Sequence, residues 1–81
     1  MKPVVLTGHA QHVVAQRGIA LAWIEAAARQ PDWTAPDTLG AERRFRAIPE
    51  RDGRILRIVC VETDTEVRVI TAFLDRNARR P

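Results

Sequence analysis

The chain has no tyrosine, one cysteine and one lysine among its 81 residues, and no apolar run long enough to span a bilayer. Each shortage removes a class of protein. A lone Cys60 cannot form an internal disulfide and suits a reducing compartment. Its setting in an apolar stretch makes it a small hydrophobe rather than a ligand or nucleophile. With two Phe, two Trp and no Tyr, the chain lacks the aromatics for a base-stacking platform. There is no glycine-rich phosphate loop, no nucleophile elbow and no HExxH. Both histidines, His9 and His12, share a helical face at i, i+3, but two ligands are too few for a closed zinc site. Neither a metal nor a cofactor is therefore expected. The opening MKPVVLTGH lacks the pattern of a secretory leader, and the expected location is cytoplasmic.

What is abundant is arginine. Twelve of the 13 basic residues are Arg. Residues 1–41 carry three basic and three acidic side chains; residues 42–81 carry ten arginines against seven acids, a net +3. Arginine is favoured where a planar fork grips phosphate or carboxylate, although a GC-rich genome produces the same bias.

Length and composition indicate one globular domain over 1–81. Val4 to Leu6 suits a short strand. Thr7 suits an N-cap for a helix from Gly8 to about Gln16, interrupted at Gly18. A second helix over Ala20–Arg29 has apolar residues at 19, 23, 24 and 27 and ends before Pro31. Residues 30–41, with two prolines, two aspartates and a glycine, read as a loop. Strands follow over Glu42–Pro49, Arg54–Glu62 and Glu66–Leu74, leaving 76–81 as a frayed tail. The expected fold class is α+β, with two N-terminal helices on one face of a three- to four-stranded antiparallel sheet.

Two-residue turns at Asp52-Gly53 and Asp64-Thr65 would set Phe45 and Val69 opposite Cys60, and Ala47 and Thr71 opposite Ile58. That register gives a core face of Phe45, Ala47, Leu56, Ile58, Cys60, Val67, Val69, Thr71 and Phe73. It gathers Arg44, Arg46, Arg57 and Arg68 on the opposite face around Val59 and Ile70. A one-residue slip in the second turn would move Arg68 to the core side. As a patch, the four arginines are candidates for nucleic-acid binding, with a protein partner or a solvated face as alternatives.

Histidine can take and give a proton near neutral pH, and metal-free RNA cleavage needs a base, an acid and a cation on the phosphate. His9 is the proton-transfer candidate, and Arg17 and Arg68 the phosphate grips. The plainer role for His9 and Arg17 is to brace the helix against the sheet. His12 is expected at the surface.

In this order and spacing His9-Ala10, Arg17-Gly18-Ile19, Pro31, Gly53-Arg54 and Val69-Ile70-Thr71-Ala72-Phe73 resemble a bacterial family called domain of unknown function 4258, from about Leu6 to Arg76. The element order is more distantly similar to toxin ribonucleases of the BrnT and RelE types. That similarity implies a compact RNA-binding or RNA-cleaving fold of toxin–antitoxin type, with Thr71 as an orienting hydroxyl beside His9 and Arg17. The partners it implies are RNA and an acidic, antitoxin-like protein. The alternative is a non-catalytic interaction module using the arginine face or an exposed strand edge.

Overall fold

The computed structural model describes residues 1–81. In chain order the elements are β1 (Val4–Leu6), α1 (Gly8–Arg17), α2 (Leu21–Arg29), β2 (Trp33–Pro36), β3 (Glu42–Ile48), β4 (Arg54–Glu62) and β5 (Val67–Leu74). The sheet runs β1-β5-β4-β3-β2. It is five-stranded and mixed: β1 lies parallel to β5, and the other pairs are antiparallel. The α+β class with two helices stands, but the three- to four-stranded antiparallel sheet is corrected to this larger one.

The added strand falls in the stretch read as a loop. Trp33–Pro36 pairs with β3, placing Trp33 opposite Phe45. Their rings stack with centroids 4.8 Å apart and planes 8° from parallel. Such a pair contributes about 0.5–1.5 kcal/mol beyond its buried area, and it fixes this short strand in register. Pro36 is tolerated because β2 is an edge strand, where a missing N–H leaves no ladder bond unmade.

Helix α1 starts as its capping residue predicts: Thr7 Oγ1 accepts from Ala10 N at 3.1 Å. It ends at Gly18, whose φ of 65° lies in the left-handed region. Gly18 and Ile19 return their N–H groups to the carbonyls of Ala15 and Val14, which swings Ile19 into the core. Both helices cover one side of the sheet, α1 against β5 and β1, α2 against β4 and β3. Between the layers, Ala10, Val14, Ile24 and Ala27 meet Ile48, Leu56, Ile58, Cys60, Val69 and Ala72. Cys60 is fully buried, and burial pushes its thiol pKa up, as befits an inert core residue.

Two features of the hairpins rearrange the expected faces. The β3–β4 connection holds five residues, Pro49 to Gly53, because Pro49–Arg51 form a 3-10 turn before Asp52-Gly53. Phe45 therefore pairs with Arg57 and Ala47 with Ile55, a shift of three positions that flips β3. Phe45 and Ala47 move to the helix-free face; Arg44, Arg46 and Ile48 turn toward the helices. The β4–β5 turn is as expected, with Thr63 N donating to Glu66 O and Cys60 opposite Val69. Beyond it the register jumps, since Val59 pairs with Thr71 and Ile70 is left over as a bulge. Thr71 and Phe73 thereby leave the core face, and Ala72 and Leu74 join it.

Lys2 and Arg44 close one end of the sheet. Both reach Glu62, Lys2 Nζ at 2.8 Å and Arg44 Nη2 at 2.7 Å, and Arg44 Nε also meets Glu42 at 2.7 Å. Burial lowers the pKa of Arg44, but its bonds to Glu62 and Glu42 outweigh this and hold it above the ordinary value. The hydrogen bond from Lys2, then that from Arg44, pulls Glu62 from 4.5 down to about 2. A carboxylate depressed on folding stabilises fully above its unfolded pKa and loses that contribution as pH falls through the folded one. The protein is therefore expected to lose stability between pH 4.5 and about 2 partly through Glu62. Urea denaturation of wild type and Glu62→Gln across that window checks this: the gap between them should be widest at the top and close at the bottom.

Candidate functional site

The four sheet arginines do not form one patch. Arg44 and Arg46, on the helix side, reach the C-terminus of α2: Arg44 Nη1 donates to Ala28 O at 2.6 Å and Arg46 Nη1 to Gln30 O at 2.5 Å. They satisfy carbonyls left without intrahelical partners and complement the helix dipole. Arg57 lies on the helix-free face with its guanidinium 4.2 Å from the centre of the Phe73 ring and 3.6 Å from Asp75. Arg68 is exposed and paired with Glu66 at 2.7 Å. The expected cluster of Arg44, Arg46, Arg57 and Arg68 is thus split between the two faces, and three of the four also meet a carboxylate. Its cause is the flip of β3.

The bulge, by contrast, gathers His9, Arg17 and Thr71 on one seam. Strand β1 ends at Leu6, opposite Val69, so β5 has no strand neighbour on that side from Ile70 onward. Helix α1 follows this open edge. Its cap residue holds the start: Thr7 N donates to Val69 O at 3.0 Å and Thr7 Oγ1 to Ile70 O at 3.3 Å. Two successive carbonyls face one partner here because the extra residue breaks strand alternation. One residue on, His9 Nε2 lies 3.4 Å from Thr71 Oγ1, with the tautomer deciding which atom donates. At the far end of α1, Arg17 Nη1 donates to Ala72 O at 2.8 Å. His9 and Arg17 stand eight positions apart on the helix, about 12 Å of rise, so the three line a seam rather than a point. His12 is exposed, on the same helix.

Arg17 opens onto a cleft that sequence reading missed. The cleft is lined by Arg17, Ile19, Arg51, Arg54, Phe73 and Leu74. The signal lay in RDGR: the motif was informative as a turn, and its two flanking arginines are what the turn presents. Elsewhere, no three His, Cys, Asp or Glu side chains gather in a way that would hold a metal ion. No helix is long and apolar enough to cross a membrane.

The bond from Arg17 to Ala72 ties α1 to a strand edge that no neighbour pairs. Arg17→Met should lower stability by about 1.5–3 kcal/mol, the usual range for a hydrogen bond that involves a charged group. Chemical denaturation measures this, with His12→Ala expected to be neutral.

The family model Domain of unknown function (DUF4258) matches residues 6–74. No curated protein and no solved structure shows a significant match.

Proposed function

Because the chain belongs to the family described as Domain of unknown function (DUF4258), a description that names no activity, we propose on the chemistry of the α1–β5 seam that it is a small RNA-binding, RNA-cleaving protein of toxin type. One observation carries this reading: an exposed imidazole and a hydroxyl, His9 and Thr71, lie 3.4 Å apart on the seam that Arg17 also borders. These are the group types that phosphodiester transfer to a neighbouring hydroxyl requires.

In this reading His9 takes the proton of a ribose 2′-hydroxyl, and that oxygen bonds to the adjacent phosphorus. The bond from phosphorus to the 5′-oxygen breaks, and the leaving oxygen takes a proton from the imidazolium or from water. Thr71 orients the imidazole through their mutual hydrogen bond. Arg17 supplies positive charge near the phosphate, held in place by its bond to Ala72 O. An acidic antitoxin-like protein covering this basic seam is the matching partner.

A second reading has its own observation. The sheet face without helices keeps apolar Val59 and Val61 only partly covered and Val5 and Ile70 exposed. A non-catalytic module would bind a protein there.

Induced expression and purified protein separate the two. RNA cleavage by the wild type, reduced at least about a hundredfold in His9→Ala with its melting temperature retained, supports the enzyme. Intact RNA at high protein concentration together with undiminished growth overturns it. Loss of activity accompanied by loss of folding in His9→Ala would point to bracing, and Thr71→Val then serves as the milder probe of the same contact.

A further inference from the structure

The cleft where Arg17, Arg51 and Arg54 meet comes from three separate parts of the chain. Arg17 ends α1, Arg51 belongs to the 3-10 turn after β3, and Arg54 begins β4. Such convergence concentrates positive charge, which costs free energy unless an anion or a carboxylate offsets it. For five arginines the protein provides a carboxylate: Arg29, Arg44, Arg57, Arg68 and Arg80 each have one within 4 Å, while Arg43, Arg46 and Arg79 donate to backbone carbonyls. In the cleft it provides none. None of the three takes part in an ion pair, and no Asp or Glu lines the cleft. Asp52, between two of them in sequence, lines a neighbouring cleft with Asp75; Arg54 borders both clefts but forms no ion pair with either carboxylate.

Two of the guanidinium groups are also held in position. Arg17 is bonded to Ala72 O, and Arg51 sits 6.0 Å from the centre of the Trp23 ring, a cation–π distance. Arg54 is anchored through its backbone, which pairs with Ile48 across the tight turn. The rest of the lining is apolar: Ile19, Phe73 and Leu74. The cleft is an open depression of about 610 Å³, so a ligand seated in it stays partly exposed to solvent. Fixed arginine forks beside an apolar wall match a phosphate group that carries an organic body, since the fork binds oxygens in pairs and the wall packs a sugar or base.

We propose that this cleft is a phosphate-binding site, taking the phosphate of a nucleotide or of an RNA strand with the attached nucleoside against Ile19, Phe73 and Leu74. The inference deepens the reading given above, which requires RNA at the adjoining seam; the two share Arg17, and the cleft adds Arg51 and Arg54. Arg51 and Arg54 have no part in the proton transfer assigned to His9 and Thr71. The cleft would fix where a strand lies, and the seam would act on a neighbouring linkage.

The test is titration of the full chain, followed by the arginine side-chain N–H resonances, with inorganic phosphate, adenosine 5′-monophosphate and a short single-stranded RNA with and without a 5′-phosphate. Shifts at Arg51 and Arg54, with tighter binding of the nucleotide than of inorganic phosphate, are expected. Arg54→Gln and Arg51→Gln should each weaken nucleotide and RNA binding about tenfold and lower the salt dependence by close to one charge. Arg76→Gln, in the exposed tail, should not. Should a Gln variant melt early, Arg54→Lys keeps the charge without the fork and should bind with intermediate strength. Preference for the 5′-phosphorylated strand identifies a terminal monoester, and equal binding an internal diester; both support the site. Unmoved Arg51 and Arg54 signals, or Gln variants that bind as wild type, overturn it. Phosphate binding beside uncleaved RNA would retire the nuclease reading alone, while cleavage indifferent to Arg51 and Arg54 would retire the cleft alone.

Discussion

One extra residue in β5 governs how the two layers fit together. Without the bulge at Ile70, Val69 and Ala72 would point to opposite faces, because strand side chains alternate. With it both are fully buried beneath the helices. The same residue turns the Val69 and Ile70 carbonyls toward Thr7, which anchors the start of α1, and takes Thr71 out of the core toward His9. Packing, helix placement and the candidate chemistry thus share one backbone irregularity. Bulges recur beside active sites because they re-aim a side chain without dissolving the sheet.

The arginines divide by what they are bonded to. Some replace missing backbone partners: Arg44 and Arg46 close α2, and Arg43 meets Pro36 O at the end of β2. Others lie over rings, as Arg57 over Phe73 and Arg80 over Trp33. Much of the arginine bias therefore serves a small fold whose loop and helix ends would otherwise leave carbonyls unmet. Arg17, Arg51 and Arg54, at the α1–β5 end, line one cleft without a carboxylate partner, and their charge is what the neighbouring seam can draw on.

The features legible in the sequence were those fixed by short-range chemistry. Thr7 announced the start of α1, Gly18 its end, and Asp64-Thr65 a tight turn, because each acts within a few residues. What depended on partners far along the chain was not legible. The stretch WTAP carries no strand pattern of its own and becomes a strand by stacking Trp33 on Phe45. Pro49 permits a 3-10 turn that lengthens the Asp52-Gly53 hairpin, and an odd change of register exchanges every side chain of β3 between faces. The arginine patch failed for that reason. His9, Arg17 and Thr71 do meet along one seam, although the straight-strand register had set Thr71 facing the core. The element that reunites them, the bulge, has no residue signature in VRVITAFL.

The parallel pairing of β1 with β5 also has a temporal side. These strands are separated by nearly the whole chain, yet β5 lies between β1 and β4 and carries the ledge for α1. As the polypeptide emerges during synthesis, the first strand has no edge to join until the last has been made. Until then α1 lacks most of the surface it rests on, and Val4 and Leu6 remain uncovered. Closure over such a sequence distance is slow relative to local hairpin formation. The β3–β4 hairpin can form early on the ribosome, whereas the seam holding His9, Arg17 and Thr71 can assemble only once β5 has been made. Whatever this seam does, a nascent chain cannot yet do it.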